Sequence, residues 1–255
     1  RTAAGSPFAA NRIVERRRTS SLRHGRSSSP VSQFTVKAEE ELNQYKRLLQ
    51  VIGPAVSIFG SARIKPYDKR YKFTMNLARA LSDQGYSIVT GGGPGIMEAA
   101  NKGVPAGRLS VGLAIQLPLE EKPNEAVNEL LMFKYFFARK MAFINFSEAF
   151  IAVHGGFGTL DEFFEIVALK DRRLVTDLPV VLVSKKFYSG LFHLMRNIER
   201  YGFSRRPMKD LFDLKDSSIP EEVRFLGPPQ EERRAYKNGN DIAGAMAQFS
   251  KGIKR

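Results

Sequence analysis

The chain has 255 residues, 43% of them hydrophobic, no cysteine, and a formal net charge of +14. That composition supports one large domain or two small ones with a real core. It excludes disulfides, thiolate metal sites and cysteine nucleophiles, and it suits a reducing compartment. No apolar run reaches the ~18–20 residues of a membrane span, and the first residues lack the apolar stretch of a secretory signal. The positive excess suits an anionic ligand such as a phosphate or nucleotide, with a solvated basic surface as the plainer reading.

Residues 1–36 hold seven arginines against one glutamate, in stretches such as "RRRTSSLRHGRSSSP". Such a segment cannot build a core and is expected to be disordered. Its Arg-rich, Ser-rich, acid-poor composition also matches an organelle transit peptide, although an ordinary basic tail is the preferred reading. The chain opens on Arg1 rather than Met, so it is expected to be less than a full translation product. Residues 37–203 are read as the folded domain and 204–255 as a partly irregular extension.

Within the domain, "AEEELNQYKRLLQ" (38–50) reads as helix and "AVSIFG" (55–60) as a buried strand. A helix over 69–84 places Phe73, Leu77, Ala78 and Leu81 on one face. Strands follow at 86–90 and 110–115, a helix at 136–146, a strand at 149–153, a helix at 159–170, a strand at 179–184 and a helix at 187–200. Strands that are continuous apolar runs separated by helices indicate a parallel sheet covered on both faces. After residue 203 the pattern weakens, with no closing strand evident; "GPPQEERRAYKNGN" (227–240) reads as loop, and the last residues as a short helix or a tail.

Two glycine-rich turns, "TGGGPGIMEAANKG" (90–103) and "HGGFGTLDEFFE" (154–165), each follow a strand and open a helix. In a parallel sheet both lie at the carboxyl edge, where ligands bind. Glycine admits positive φ and close backbone approach, and the helix N-terminus offers unpaired N–H groups to a phosphate. Thr159 can cap its helix or bond a phosphate oxygen. Tight turns without a ligand are the alternative, but two on one edge favour an anion site. The dinucleotide fingerprint fails in both turns and the Walker pattern is absent, so neither NAD nor ATP is indicated.

Asp161 and Glu162 follow the second turn. Acids in a first helical turn are often only partners of the helix dipole. Beside a bound sugar phosphate, a carboxylate can stabilise a cationic ribosyl ring or orient water. Arg139 and Lys140 interrupt an apolar helical pattern, where cations are costly unless they face solvent, a partner or a ligand. The three histidines, His24, His154 and His193, have no ligand spacing, and no metal is expected.

Four ordered motifs, "IFGSAR" (58–63), "GGGPGIMEAAN" (91–101), "YFFARK" (135–140) and "HGGFGTLDE" (154–162), resemble the LOG family. Its members are cytokinin riboside 5′-monophosphate phosphoribohydrolases and related nucleotide 5′-monophosphate nucleosidases, once called lysine decarboxylase-like. The resemblance spans about residues 38–200 and is closer to the larger bacterial branch. It implies an α/β, Rossmann-like, doubly wound parallel sheet with helices on both faces, and a homodimer with sites near the interface. It implies hydrolysis of a purine nucleotide, unmodified or of the N6-modified cytokinin type, to base and ribose 5-phosphate without a cofactor. By the family signature, Glu162 is the catalytic acid and Arg139 the catalytic arginine. Gly155, Gly156, Gly158 and Thr159 match the phosphate loop, and Ser61, Gly91, Gly92, Gly93, Gly95, Glu98 and Lys140 the other substrate contacts. The signature proline is His154 here, which loosens the start of the turn and adds a titratable group.

Three rivals stand beside this expectation. A nucleotide or molybdenum-cofactor carrier would need the glycine turns but not Arg139 and Glu162 together. A pyridoxal-phosphate decarboxylase would need a Schiff-base lysine, for which Lys140 is only nominal. A nucleic-acid binder has only charge in its favour. Neither membrane nor nucleic acid is expected as a partner. The expected location is the cytoplasm, or an organelle matrix if residues 1–36 are a transit peptide.

Overall fold

The computed structural model describes residues 41, 45–116, 122–175 and 178–216. Residues 1–36, most of the 38–50 helix start and everything after 216 lie outside the described residues, and with them the expectations of a disordered basic segment, a loop at 227–240 and a terminal helix or tail.

Seven strands form one sheet in the order β4-β3-β2-β1-β5-β6-β7. They are β1 (Ala55–Phe59), β2 (Ser87–Thr90), β3 (Ser110–Ile115), β4 (Glu129–Phe133), β5 (Ala149–Ala152), β6 (Val180–Val183) and β7 (Asp213–Lys215). All six pairings are parallel. The helices are α1 (Lys46–Val51), α2 (Lys69–Asp83), α3 (Ile96–Gly103), α4 (Phe136–Phe146), α5 (Phe157–Asp171), α6 (Lys185–Arg200) and α7 (Met208–Leu211). The fold is therefore α/β and Rossmann-like. None of the described helices is long and apolar enough to cross a membrane.

Alternation along the strands explains the two covered faces. Val56 and Ile58 of β1, with Ile88, Ile151 and Val181, join Leu77 and Leu81 of α2 and Ile96 of α3 in one apolar layer. Ala55 and Phe59, with Val89, Phe150 and Leu182, join Phe143 of α4, Phe163 and Ile166 of α5 and Tyr188 of α6 in the other. Every residue of β1, β2, β3, β5 and β6 is thus buried on one face or the other, which is why these strands read as largely apolar runs.

The chain runs β1 to β4 outward on one side of β1, then returns to place β5 on the other side. The order reverses between β1 and β5, and the connections leaving their carboxyl ends diverge. This is the crevice where an open α/β sheet receives a ligand. The turn after β1 and the turn after β5 are stitched together there by the Ser61 amide, which donates to the His154 carbonyl at 2.9 Å.

Two strands depart from the sequence expectation. β4 had no counterpart, and β7 closes the sheet where none was evident, pairing Val181–Val183 with Asp213–Lys215.

Candidate active site

The turn after β2 is shaped by glycine for steric reasons. Gly92 and Gly95 have φ of +74° and +69°, where side chains are strained. A Cβ on Gly95 would lie 2.5 Å from the Ser61 carbonyl oxygen, so the turns after β1 and β2 interlock only without one. The loop is also braced from the far side. Asn124 donates from its side chain to the Gly92 and Gly93 carbonyls at 3.0 and 2.9 Å, and to Asn101 Oδ1 at 3.0 Å. Asn101 in turn accepts from Thr90 and donates to Ser110. Sequence reasoning missed Asn124; a lone Asn in a polar loop carries no pattern that would have marked it.

The turn after β5 works differently. None of Gly155, Gly156 and Gly158 has positive φ, so the expectation of positive φ holds only for the other turn. Gly155 is required because a Cβ there would meet Thr159 Oγ1 at 2.0 Å, whereas Gly156 and Gly158 face open space. α5 begins at Phe157, two residues earlier than expected, with Gly156 as its N-cap and no side-chain cap. Thr159 is therefore a buried first-turn residue and caps nothing. The early start also leaves no acid in the first turn, which removes the dipole-partner reading of Asp161 and Glu162.

These turns line one cleft with two lobes that share Arg139, Arg63, Met97 and Gly91. The first lobe, about 520 Å³, is bounded by Ser61, Gly156, Gly158, Thr159, Asp161 and Glu162. The second, about 580 Å³, is bounded by Gly91, Gly92, Gly93, Gln116, Lys122 and Met132. The two acids, Asp161 and Glu162, line only the first lobe, and Lys122, Gln116 and Met132 only the second.

Glu162 projects from α5 and Arg139 from α4, and the guanidinium Nη2 lies 3.8 Å from Glu162 Oε1. Glu162 is only 8% exposed at its side chain. Burial pushes its carboxyl up to about 7, against the opposing charges of Lys140 and Arg139. Arg139 stands over the Phe143 ring at 5.4 Å, and its buried Nε has no partner among the described residues. A half-ionised carboxyl beside a guanidinium with a spare donor, at the wall of a cleft, can stabilise a cation and steer a water.

Two of the expected contact residues have ion-pair partners within the protein. Glu98 pairs with Lys102 at 2.6 Å along α3, while that helix reaches the cleft through Met97. Lys140 bonds Asp161 at 2.8 Å and Glu165 at 3.0 Å. Burial works against its charge, but these bonds prevail and its pKa is raised, the reverse of what a Schiff-base lysine needs. Gly95 is the N-cap of α3 and is not among the residues lining either lobe. His154 packs its ring against Phe187, at 4.9 Å between centroids. Burial first, then the charge of Arg70, lowers its pKa.

The family model that matches, over residues 97–221, is described as possible lysine decarboxylase. The probable cytokinin riboside 5′-monophosphate phosphoribohydrolase LOG4 of Oryza sativa subsp. japonica is 30% identical over 188 residues, 71% of this chain and 81% of that protein. The pyrimidine/purine nucleotide 5′-monophosphate nucleosidase of Escherichia coli K12 is 27% identical over 139 residues, 50% of this chain but only 31% of that protein. Among solved structures, the structural-genomics target TM1055 superposes with a TM-score of 0.50 at 21% identity, covering 68% of this chain and 98% of that one. The molybdenum cofactor binding protein of Rippkaea orientalis gives a TM-score of 0.49 at 25% identity, over 68% and 94% of the two chains.

Proposed function

The chain belongs to the LOG family, whose named members act on nucleoside 5′-monophosphates, and on that premise we propose that it hydrolyses the N-glycosidic bond of a purine nucleoside 5′-monophosphate. The products are the free base and ribose 5-phosphate. The 5′-phosphate binds at the uncapped N-terminus of α5, against the backbone of Gly156 and Gly158 and the Thr159 hydroxyl. The ribose then lies over the second turn of α5, and the base occupies the lobe beside Met97 and Met132.

In the reaction the C1′–N bond breaks, the electron pair leaves with the base, and positive charge grows on the ribose. The Glu162 carboxylate stabilises that charge and accepts a proton from the attacking water. The departing base takes up a proton from solvent and Glu162 afterwards returns its own to solvent, so atoms and charge balance. Arg139 orients Glu162 through its planar guanidinium.

The observation that carries this reading is the buried Glu162 carboxyl, 3.8 Å from Arg139, at the wall of the glycine-lined cleft. A carrier would need the glycine turns alone, and burying an ionisable acid in a mere binding pocket for an anion would oppose affinity. The same proposal includes a homodimer. Phe136 and Phe157 line the cleft yet are 52% and 92% exposed, and a second copy seated there would bury them.

The test is a panel of AMP, GMP, IMP, N6-prenylated AMP and the matching nucleosides, assayed for free base. Release from monophosphates, poor turnover of nucleosides and competition by inorganic phosphate are expected. Equal turnover of adenosine and AMP would contradict the phosphate assignment.

A further inference from the structure

Lys140 adjoins Arg139 in sequence but turns away from its task. Its ammonium lies between Asp161 Oδ2 at 2.8 Å and Glu165 Oε2 at 3.0 Å, and its side chain is 18% exposed. Asp161 and Glu165 are one helical turn apart on α5, so a single cation from α4 ties together one stripe of that helix. Glu162 lies beside this stripe, one residue after Asp161. The five charged groups comprise two cations, Arg139 and Lys140, and three carboxyls, Asp161, Glu162 and Glu165. Arg63, from the turn after β1, is the other cation lining this lobe.

We propose that Lys140 is a positioning residue, which bridges Asp161 and Glu165 to fix α5 against α4 and so holds the Glu162 carboxylate in register with Arg139 and available as the ionised group. It makes no contact with substrate. The electrostatics agree with the geometry. Burial raises Glu162; of the two cations that oppose this, Lys140 acts more strongly than Arg139, and Glu165 and Asp161 act in the same direction as burial. Removing Lys140 would take away the cation that bonds Asp161 and Glu165 and leave three neighbouring carboxyls beside Arg139.

This inference rests on the proposed role of Glu162, so its test has one readout that needs no turnover. The glutamate carboxyl carbons of the intact protein are labelled with carbon-13 and titrated by NMR, with Glu162→Gln identifying the Glu162 signal. In Lys140→Met the Glu162 titration should move up by about one pH unit, as expected when one nearby opposite charge is lost. Lys140→Arg should restore it, and Glu165→Gln, which removes a like charge, should move it down. The acidic limb of kcat/KM should follow the same order, with KM for AMP changed less than about threefold, since positioning alters the reacting state rather than binding. A Glu162 titration unmoved in Lys140→Met would overturn the proposal, and if Lys140→Met does not fold, Lys140→Gln, which also removes the charge, is read in its place. A large rise in KM with an unmoved titration would likewise overturn it and make Lys140 a direct substrate contact. Absence of turnover in the wild type would count against the hydrolase reading while leaving the NMR test of Lys140 intact.

Discussion

Arg139 and Glu162 reach the same point from different helices, with the guanidinium 3.8 Å from the carboxylate and both side chains less than one-fifth exposed. The separation exceeds a good hydrogen bond, so the pair is poised rather than locked. Glu162 lines the cleft, and the buried Nε of Arg139 has no hydrogen-bond partner among the described residues. An arrangement that only stabilised the fold would close both.

The pH dependence follows from the ionised form being the active one. Glu162 is raised to about 7 by burial, so kcat/KM should climb with pH through about 7 and level off above it, since that parameter reports the free enzyme. His154 does not account for this limb, because its own pKa is depressed. His154→Gln should therefore leave the limb in place. A profile flat from pH 5.5 to 8.5 would refute the assignment.

The same burial makes Glu162 a cost to stability. Below its ordinary value of 4.5 the carboxyl is protonated in both the folded and the unfolded chain. Between 4.5 and about 7 the folded chain keeps the proton that the unfolded chain has lost. The unfolded state then binds fewer protons, so stability falls as pH rises across that window. Above about 7 both states are ionised and the loss is complete. Glu162→Gln escapes it, and should be more stable than wild type by ~3 kcal/mol at pH 8, at about 1.4 kcal/mol per pH unit. The gain should vanish near pH 4.5. Thermal or urea unfolding of both proteins across this range measures it.

Glycines of the β5 turn should separate into two kinds. Gly155→Ala forces a methyl onto Thr159 Oγ1, at 2.0 Å in the present geometry. It should lower stability by ~1–3 kcal/mol, as overpacking does, and weaken phosphate binding with it. Gly158→Ala meets nothing within 4 Å and should fold normally, yet it places a methyl on the surface proposed to hold phosphate. Its expected signature is a raised KM for AMP with an unchanged unfolding midpoint. Equal effects of both variants on stability would contradict this account of the turn.

The central strands were legible because each is buried along its whole length, and so reads as a largely apolar run. β4 was not. It is an edge strand, exposed along most of its length, and its apolar residues run without a turn signal into the aromatics that open α4. β7 is three residues long with one apolar side chain, too short for any periodicity to register. Of the site, the glycine turns were legible because steric demand selects glycine itself. The pairing of Arg139 with Glu162 came from the family resemblance, since residues 23 positions apart have no local pattern joining them. Directions of side chains were not legible. Nothing in "ARK" says that its arginine turns to the cleft and its lysine to Asp161 and Glu165, and Glu98 reads equally well as a cleft acid or as the partner of Lys102.

Glu162 is proposed to perform chemistry and not merely to bind. Free base released from AMP at pH 8 by wild type and Glu162→Gln, beside AMP binding by calorimetry, tests it most directly. Glu162→Gln should lose at least ~10²-fold in turnover, the scale of removing one preorganised charge, while its affinity for AMP stays close to wild type. Near-native turnover by the folded variant would contradict it and leave the cleft a nucleotide-binding pocket.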